Sequence, residues 1–265
     1  MVAPSPASRS VMLDLQFLVV ACLAVLIVGI AKGGFGGGIG IVGVPLMALV
    51  VDPVRAAAIM LPILMLMDLF ALRAYWRQWD LANLKLLLPG AVIGTLLGFA
   101  TFRLLSPDML RLMVGLLAIG FGLLHFARAS PASATSATSA QPANWRRALF
   151  WGSASGFTSF SVHAGGPPLQ VYLLPLQLSK TSFQATSVAF FFVVNWLKLP
   201  PFVWLGQFDP SNLATSALLA PLAPVGIALG RWLHTRIDDR WFYRIVHGSL
   251  LLIGSKLVHD ALTAP

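Results

Sequence analysis

The chain has 265 residues, 57% of them hydrophobic and only 10% charged, with a mean hydropathy of +0.82. A soluble domain carries roughly a quarter charged residues, so the composition excludes a water-solvated fold and calls for lipid around an all-helical core. The net charge of +9 comes from 18 Lys and Arg against nine Asp and no Glu. The basic residues sit mostly in short loops, which fits the positive-inside bias and contact with anionic membrane lipid and excludes a nucleic-acid partner.

The first apolar run covers residues 11–31. It lacks a clear small-residue cleavage site and leads into further apolar sequence, so it is expected to be mature structure rather than a signal peptide. It contains Cys22, whose solitary state excludes an internal disulfide and a thiol-based zinc site. A break follows at Lys32-Gly33-Gly34-Phe35-Gly36-Gly37-Gly38, then a run of only about 13 residues at 39–51 that includes Gly40 and Pro45. Longer runs follow at 54–76, 81–105 and 109–127. Residues 129–144, ASPASATSATSAQPAN, form a low-complexity linker outside the membrane.

The second half repeats this order at 145–162, 165–178, 181–205, 213–234 and 241–262. Its break contains Thr158, Ser159, Ser161, His163, Gly165, Gly166 and the Pro167-Pro168 step. Gly33 and Pro45 align with Gly156 and Pro168, and Gln78-Trp79-Asp80 aligns with Gln207-Phe208-Asp209. Gly94, Gly98, Val114 and Gly122 align with Gly226, Gly230, Val246 and Gly254 at one offset. Such duplication is a transporter signature. The expected fold class is therefore an all-α membrane protein of about 8–10 transmembrane or half-spanning helices. Its expected parts are an N-terminal repeat (1–128), a linker (129–144) and a C-terminal repeat (145–265).

Basic residues crowd the loop after the third segment in the first half (Arg73, Arg77, Lys85) and the loop after the fourth in the second (Arg231, Arg236, Arg240, Arg244). Both loops should be cytoplasmic. Because they occupy different places in the repeat, the halves are expected to be inverted, with both termini outside.

Inversion would bring both breaks to one centre, where two short helices would aim their N-termini inward. Helix dipoles, free N–H groups and close backbone approach at glycine favour an anion there. Glycines that merely let helices pack closely in lipid are the plain alternative. Three ionisable groups lie inside apolar runs, where they are costly. Lys198, with Asn195 on the same helical face, is expected to face the interior. Asp68 pairs with a lysine or carries a proton, or else makes a structural ion pair with Arg73 or Lys198. Lys32 attracts an anion or lies at a membrane surface. His163 suits proton traffic or a neutral hydrogen-bonded role. No metal-ligand cluster, HExxH motif or Ser-His-Asp signal argues for an enzyme or a cofactor.

The stretch Gly-Gly-Phe-Gly-Gly-Gly-Ile-Gly-Ile-Val-Gly-Val-Pro-Leu at 33–46 resembles the first motif of the TauE/SafE sulfite exporter family. So do Gly165-Gly166-Pro167-Pro168 and Asn195-Trp196-Leu197-Lys198-Leu199-Pro200, and the resemblance covers about residues 11–258. It implies a multi-pass protein of the bacterial inner membrane, with about eight spans, that carries sulfite, sulfoacetate or related anions. The expected substrate-binding set is Lys32, Gly33, Gly34, Gly36, Gly37, Gly38, Gly40, Pro45, Ser159, Ser161, His163, Gly165, Gly166, Asn195 and Lys198. Asp68 and His163 are the coupling candidates. The expected partners are a small anionic substrate and membrane lipid, and the chain is compatible with a homo-oligomer. A membrane scaffold for a partner complex and an anion channel are the other function classes.

Overall fold

The computed structural model describes residues 15–34, 40–102, 104, 106–128, 142–234, 236 and 239–263. Those residues form helices and turns with no strand among them. The helices are α1 (Leu15–Gly34), α2 (Gly43–Met47), α3 (Pro53–Ala74), α4 (Leu81–Phe102), α5 (Pro107–Arg128), α6 (Trp145–Val162), α7 (Gly166–Leu173), α8 (Lys180–Trp204), α9 (Pro210–Leu219), α10 (Leu222–His234) and α11 (Asp239–Thr263). Five segments are long and apolar enough to cross a membrane: Leu15–Gly34, Pro53–Ala74, Leu81–Phe102, Thr181–Trp204 and Pro210–Leu233. The chain is an all-α membrane protein.

Helix starts follow local chemistry. Asp52, Asn144, Ser179 and Asp209 each cap a helix by accepting from backbone N–H groups one to two residues into it. Pro53 and Pro210 take the first helical position, where a missing N–H costs nothing. The run expected as one segment at 213–234 is two helices. The chain turns at Ala220 and Pro221, because Pro221 has no N–H to continue the ladder.

The expected short second segments are shorter still. Residues Gly40–Val42 make one 3₁₀ turn before the five residues of α2. Their counterpart is the eight-residue α7, followed by a 3₁₀ turn at Leu174–Leu176. Gly36, Gly37 and Gly38 lie outside the described residues, as do residues 129–141 of the expected linker.

Glycine sets the tightest helix contacts. In α4 and α6 the contacts advance together: Gly90 faces Leu149 and Ser153, Gly94 faces Ser153 and Phe157, and Gly98 faces Phe160. These two helices run parallel, and a methyl at Gly94 would strike the Ser153 carbonyl. Across the molecule, α1 and α10 meet through Gly29, Gly33, Gly226 and Gly230, with Gly29 and Gly226 backbone to backbone. Small residues four apart allow this approach, and dispersion and weak polar contacts hold helices together in lipid.

Other pairs run antiparallel. Gly115 of α5 faces Val258 of α11, while Ile119 faces Gly254. Asp68 of α3 bonds Asn195 of α8, while Asp80 just beyond α3 donates its N–H to Thr186. The main apolar core draws on Val28, Met60 and Met67 from the first half and on Phe160, Phe202 and Leu250 from the second. At its centre α3 and α8 cross, each carrying buried polar groups.

Candidate functional site

Helix α8 carries a polar stripe on its inner face. Gln184, Ser187, Phe191, Asn195 and Lys198 recur at three- and four-residue steps, and all are buried. Lys198 is 0% exposed and Asp68 of α3 only 1%. Groups so deep in an apolar bundle persist only with partners or a task.

Two clusters meet at the crossing of α3 and α8. In the first, Lys32 at the end of α1 forms an ion pair with Asp68. The other Asp68 oxygen accepts from Asn195 Nδ2 at 2.5 Å. Gln184 Nε2 donates to the Lys32 carbonyl at 2.7 Å, which ties α8 to the break after α1. A lysine was among the partners expected for Asp68, and the structure gives Lys32 rather than Arg73 or Lys198. Helices α1 and α3 lie side by side with Met67 against Gly29, which places the ends of these two side chains together.

The second cluster surrounds Lys198. Its ammonium donates to the Ser159 carbonyl and hydroxyl, both at 3.1 Å, and lies 2.7 Å from His163 Nδ1. On the far side of the ring, His163 Nε2 lies 2.9 Å from the Ala57 carbonyl. A carbonyl only accepts, so Nε2 carries a hydrogen. A neutral His163 then presents a lone pair at Nδ1 to the Lys198 ammonium. If His163 were protonated instead, Nδ1 would donate and Lys198 would have to be the neutral amine. In each case a single hydrogen lies between Lys198 Nζ and His163 Nδ1, and no carboxylate is bonded to the pair among the described residues.

The backbone that delivers His163 is unusual. Helix α6 ends with His163 in the left-handed region, φ 55°, where His163 N–H bonds the Ser159 carbonyl and Ala164 N–H bonds the Thr158 carbonyl. This position at a helix end normally falls to glycine or asparagine. A non-glycine residue there costs about 1–2 kcal/mol, so the imidazole is held where a cheaper residue would serve the backbone. Ser155 steadies the turn by donating to the Gly165 carbonyl at 2.6 Å.

Lys32, Ser159, His163 and Asn195 line a small cavity, closed off by Leu64, Phe191 and Gly166 at the start of α7. Its volume is about 20 Å³. An ordered water needs about 10–15 Å³ of such space, so a four-atom oxyanion enters only if the surrounding helices move.

The remaining expected residues fall around this centre unevenly. Gly33 and Gly34 close α1, and Gly33 accepts from the Tyr75 hydroxyl at 3.2 Å. Pro45 is buried in α2 and Gly40 opens the preceding 3₁₀ turn. Ser161 and Thr158 spend their hydroxyls on the carbonyls four residues back, Phe157 at 3.0 Å and Ala154 at 2.8 Å, the usual outcome for Ser and Thr inside a helix. Gly165 and Gly166 begin α7, but Pro167 and Pro168 remove two of the N–H groups a bound anion would use there. Side-chain donors therefore carry more of the site than the helix N-terminus does.

Sequence reasoning missed Gln184, Ser155, Leu64 and Phe191. The periodic stripe from Gln184 to Lys198 was a readable signal for two of them. Ser155 and Leu64 carry no such mark.

A polytopic helical protein with buried ionisable side chains gathered at its centre fits the general design of membrane transport proteins. The family model described as "Sulfite exporter TauE/SafE" matches residues 21–257, and the chain belongs to this family of membrane exporters of sulfite and related sulfur anions. Two curated relatives, the probable quinol oxidase subunit 1 of Staphylococcus aureus strains USA300 and NCTC 8325, are each 27% identical over 107 residues. That match covers 38% of this chain and 16% of each oxidase subunit, so the chain spans a small fraction of those relatives. Apolar helices share composition readily, and the short match carries no functional argument. No solved structure matches the chain.

Proposed function

We propose that the protein is a secondary carrier of the bacterial inner membrane that exports sulfite or a small organosulfonate such as sulfoacetate. The substrate site would be the Lys198, His163, Ser159, Asn195 and Lys32 centre. One observation carries this reading: Lys198 is fully buried, and its bonded partners are a carbonyl, a hydroxyl and an imidazole, none of them anionic. An ion without a counter-ion in a low-dielectric interior is costly. A substrate anion would supply the missing charge.

The contact pattern supports two inverted repeats, about 1–128 and 145–265. The helices expected to be equivalent, α3 with α8 and α5 with α11, run antiparallel where they meet, as an axis in the membrane plane requires. The glycine pairs are exchanged as well: α1 of the first half packs on α10 of the second, and α6 of the second on α4 of the first. The small central cavity favours a carrier that alternates between two openings over a standing channel. An inside-negative potential drives an anion outward by about 2.3 kcal/mol per charge per 100 mV, so export needs no coupling ion. Asp68 and His163 would allow coupling.

Reconstitution in proteoliposomes tests this. Sulfite efflux should saturate, accelerate with sulfite on the trans side, and collapse in Lys198→Met. Non-saturating flux would favour a channel, and wild-type flux in Lys198→Met would remove the site assignment.

A further inference from the structure

A second cationic feature lies away from the central cavity. The last turns of α3, and α10 from Pro224 to Arg231, border a groove of about 400 Å³. Arg73 and Arg231 both line it, with Phe70, Pro224, Ile227 and Ala228 making apolar walls. Neither guanidinium has a carboxylate partner among the described residues. The groove is twenty times roomier than the central space, so it accepts an anion with the helices as they stand.

Its position links it to the centre. Ile227 on the groove wall presses its carbonyl against Gly33, next to Lys32. Tyr75, one turn beyond Phe70, donates to the Gly33 carbonyl at 3.2 Å. The field of Arg231 reaches that phenol: burial pushes Tyr75 above its ordinary range, and Arg231 pulls it back. Arginine-rich flanks of membrane helices usually point into separate loops. Here two guanidiniums from different helices line one shared, half-apolar space, and each can pair with an oxyanion through two parallel N–H···O bonds.

We propose that Arg73 and Arg231 form an oxyanion-binding groove outside the central site, taking a sulfonate or sulfite on its way to Lys32, or the phosphodiester of an anionic phospholipid whose chains lie on Phe70 and Ala228. The two sources share one chemistry, so the test separates them. The full chain is placed in phosphatidylcholine nanodiscs and titrated with sulfite, and in parallel native mass spectrometry counts phosphatidylglycerol retained from mixed micelles. The Arg73→Gln/Arg231→Gln variant should bind at least one of these probes about tenfold more weakly, the scale of a lost charge-assisted fork. Ala228→Trp, which fills the groove and leaves both charges, should do the same and keeps the inference testable if the double variant folds poorly. In a Lys198→Met background, where the central site is removed, the groove variants should still weaken binding, which separates this site from the central one. Loss of sulfite binding assigns the groove to substrate, and loss of retained lipid assigns it to phospholipid. Undiminished binding of both probes in the two groove variants would overturn the proposal.

Discussion

Lys198 Nζ and His163 Nδ1 meet across a 2.7 Å contact, with His163 pinned from behind by the Ala57 carbonyl of α3 at 2.9 Å. The contact joins α8 to the end of α6, and the carbonyl joins both to α3. Any motion that separates α3 from α6 therefore loosens the imidazole that Lys198 is bonded to.

Removing that charge should separate stability from function. Lys198→Met is close in volume and takes away a buried ion, a change that is often neutral or stabilising by about 1–4 kcal/mol. Its thermal midpoint in detergent should stay near wild type, while sulfite efflux falls at least tenfold, from loss of an interaction worth about 2–5 kcal/mol. A collapse of the midpoint with surviving efflux would contradict the role given to Lys198.

The Lys32–Asp68 pair predicts the opposite for a single change. Asp68→Asn leaves Lys32 buried without its counter-ion and should cost about 3–5 kcal/mol of stability. Lys32→Met in the same chain should recover most of that loss. Denaturation of both singles and the double closes the cycle, and simple additivity would mean that the two side chains do not interact.

Glycine substitutions should sort by what faces them. Gly94→Ala places a methyl against the Ser153 carbonyl and should destabilise by about 1–3 kcal/mol as α4 and α6 are forced apart. Gly120→Ala in α5 has nothing within 4 Å of the new methyl and should stabilise by about 0.5–1 kcal/mol through helix propensity. Thermal midpoints of both variants check this contrast.

Acid stability should depend on Asp209. Hydrogen bonds from the Ser211 hydroxyl and the Asn212 backbone hold its carboxyl below the usual range. A depressed folded-state value means stability that is present above the unfolded value of about 3.9 and is lost as pH falls through the folded one. Asp209→Asn still caps α9 but cannot titrate. Its midpoint should therefore fall less than that of wild type between pH 5 and pH 3.

Much of the arrangement was legible because it rests on composition and local chemistry. The apolar runs became helices within a few residues of their expected bounds, since lipid leaves the backbone no other way to satisfy its hydrogen bonds. Asp80 and Asp209 mark equivalent helix starts, and the sequence showed that pairing. The structure adds their reach: three residues on, Asn83 accepts from Tyr172 at 2.6 Å and Asn212 from Arg55 at 3.2 Å. The break at Pro221 was also written in the chain, although the hydropathy of the surrounding run obscured it.

The sequence alone determined that this chain lives in lipid, that its halves resemble each other in sequence, and that Lys198 with Asn195 should face the interior, because a charged group in hydrocarbon is too costly to leave unpartnered, whereas Lys32 was left between the interior and a membrane surface. Only the tertiary structure decided who partners whom. Asp68 took Lys32 rather than Arg73 or Lys198, Ser161 turned back to its own helix, and Lys198 was left with neutral acceptors. Helical periodicity gives the face on which a side chain lies; partner choice depends on how α1, α3, α6 and α8 cross, and glycine contacts far apart in the chain set those crossings.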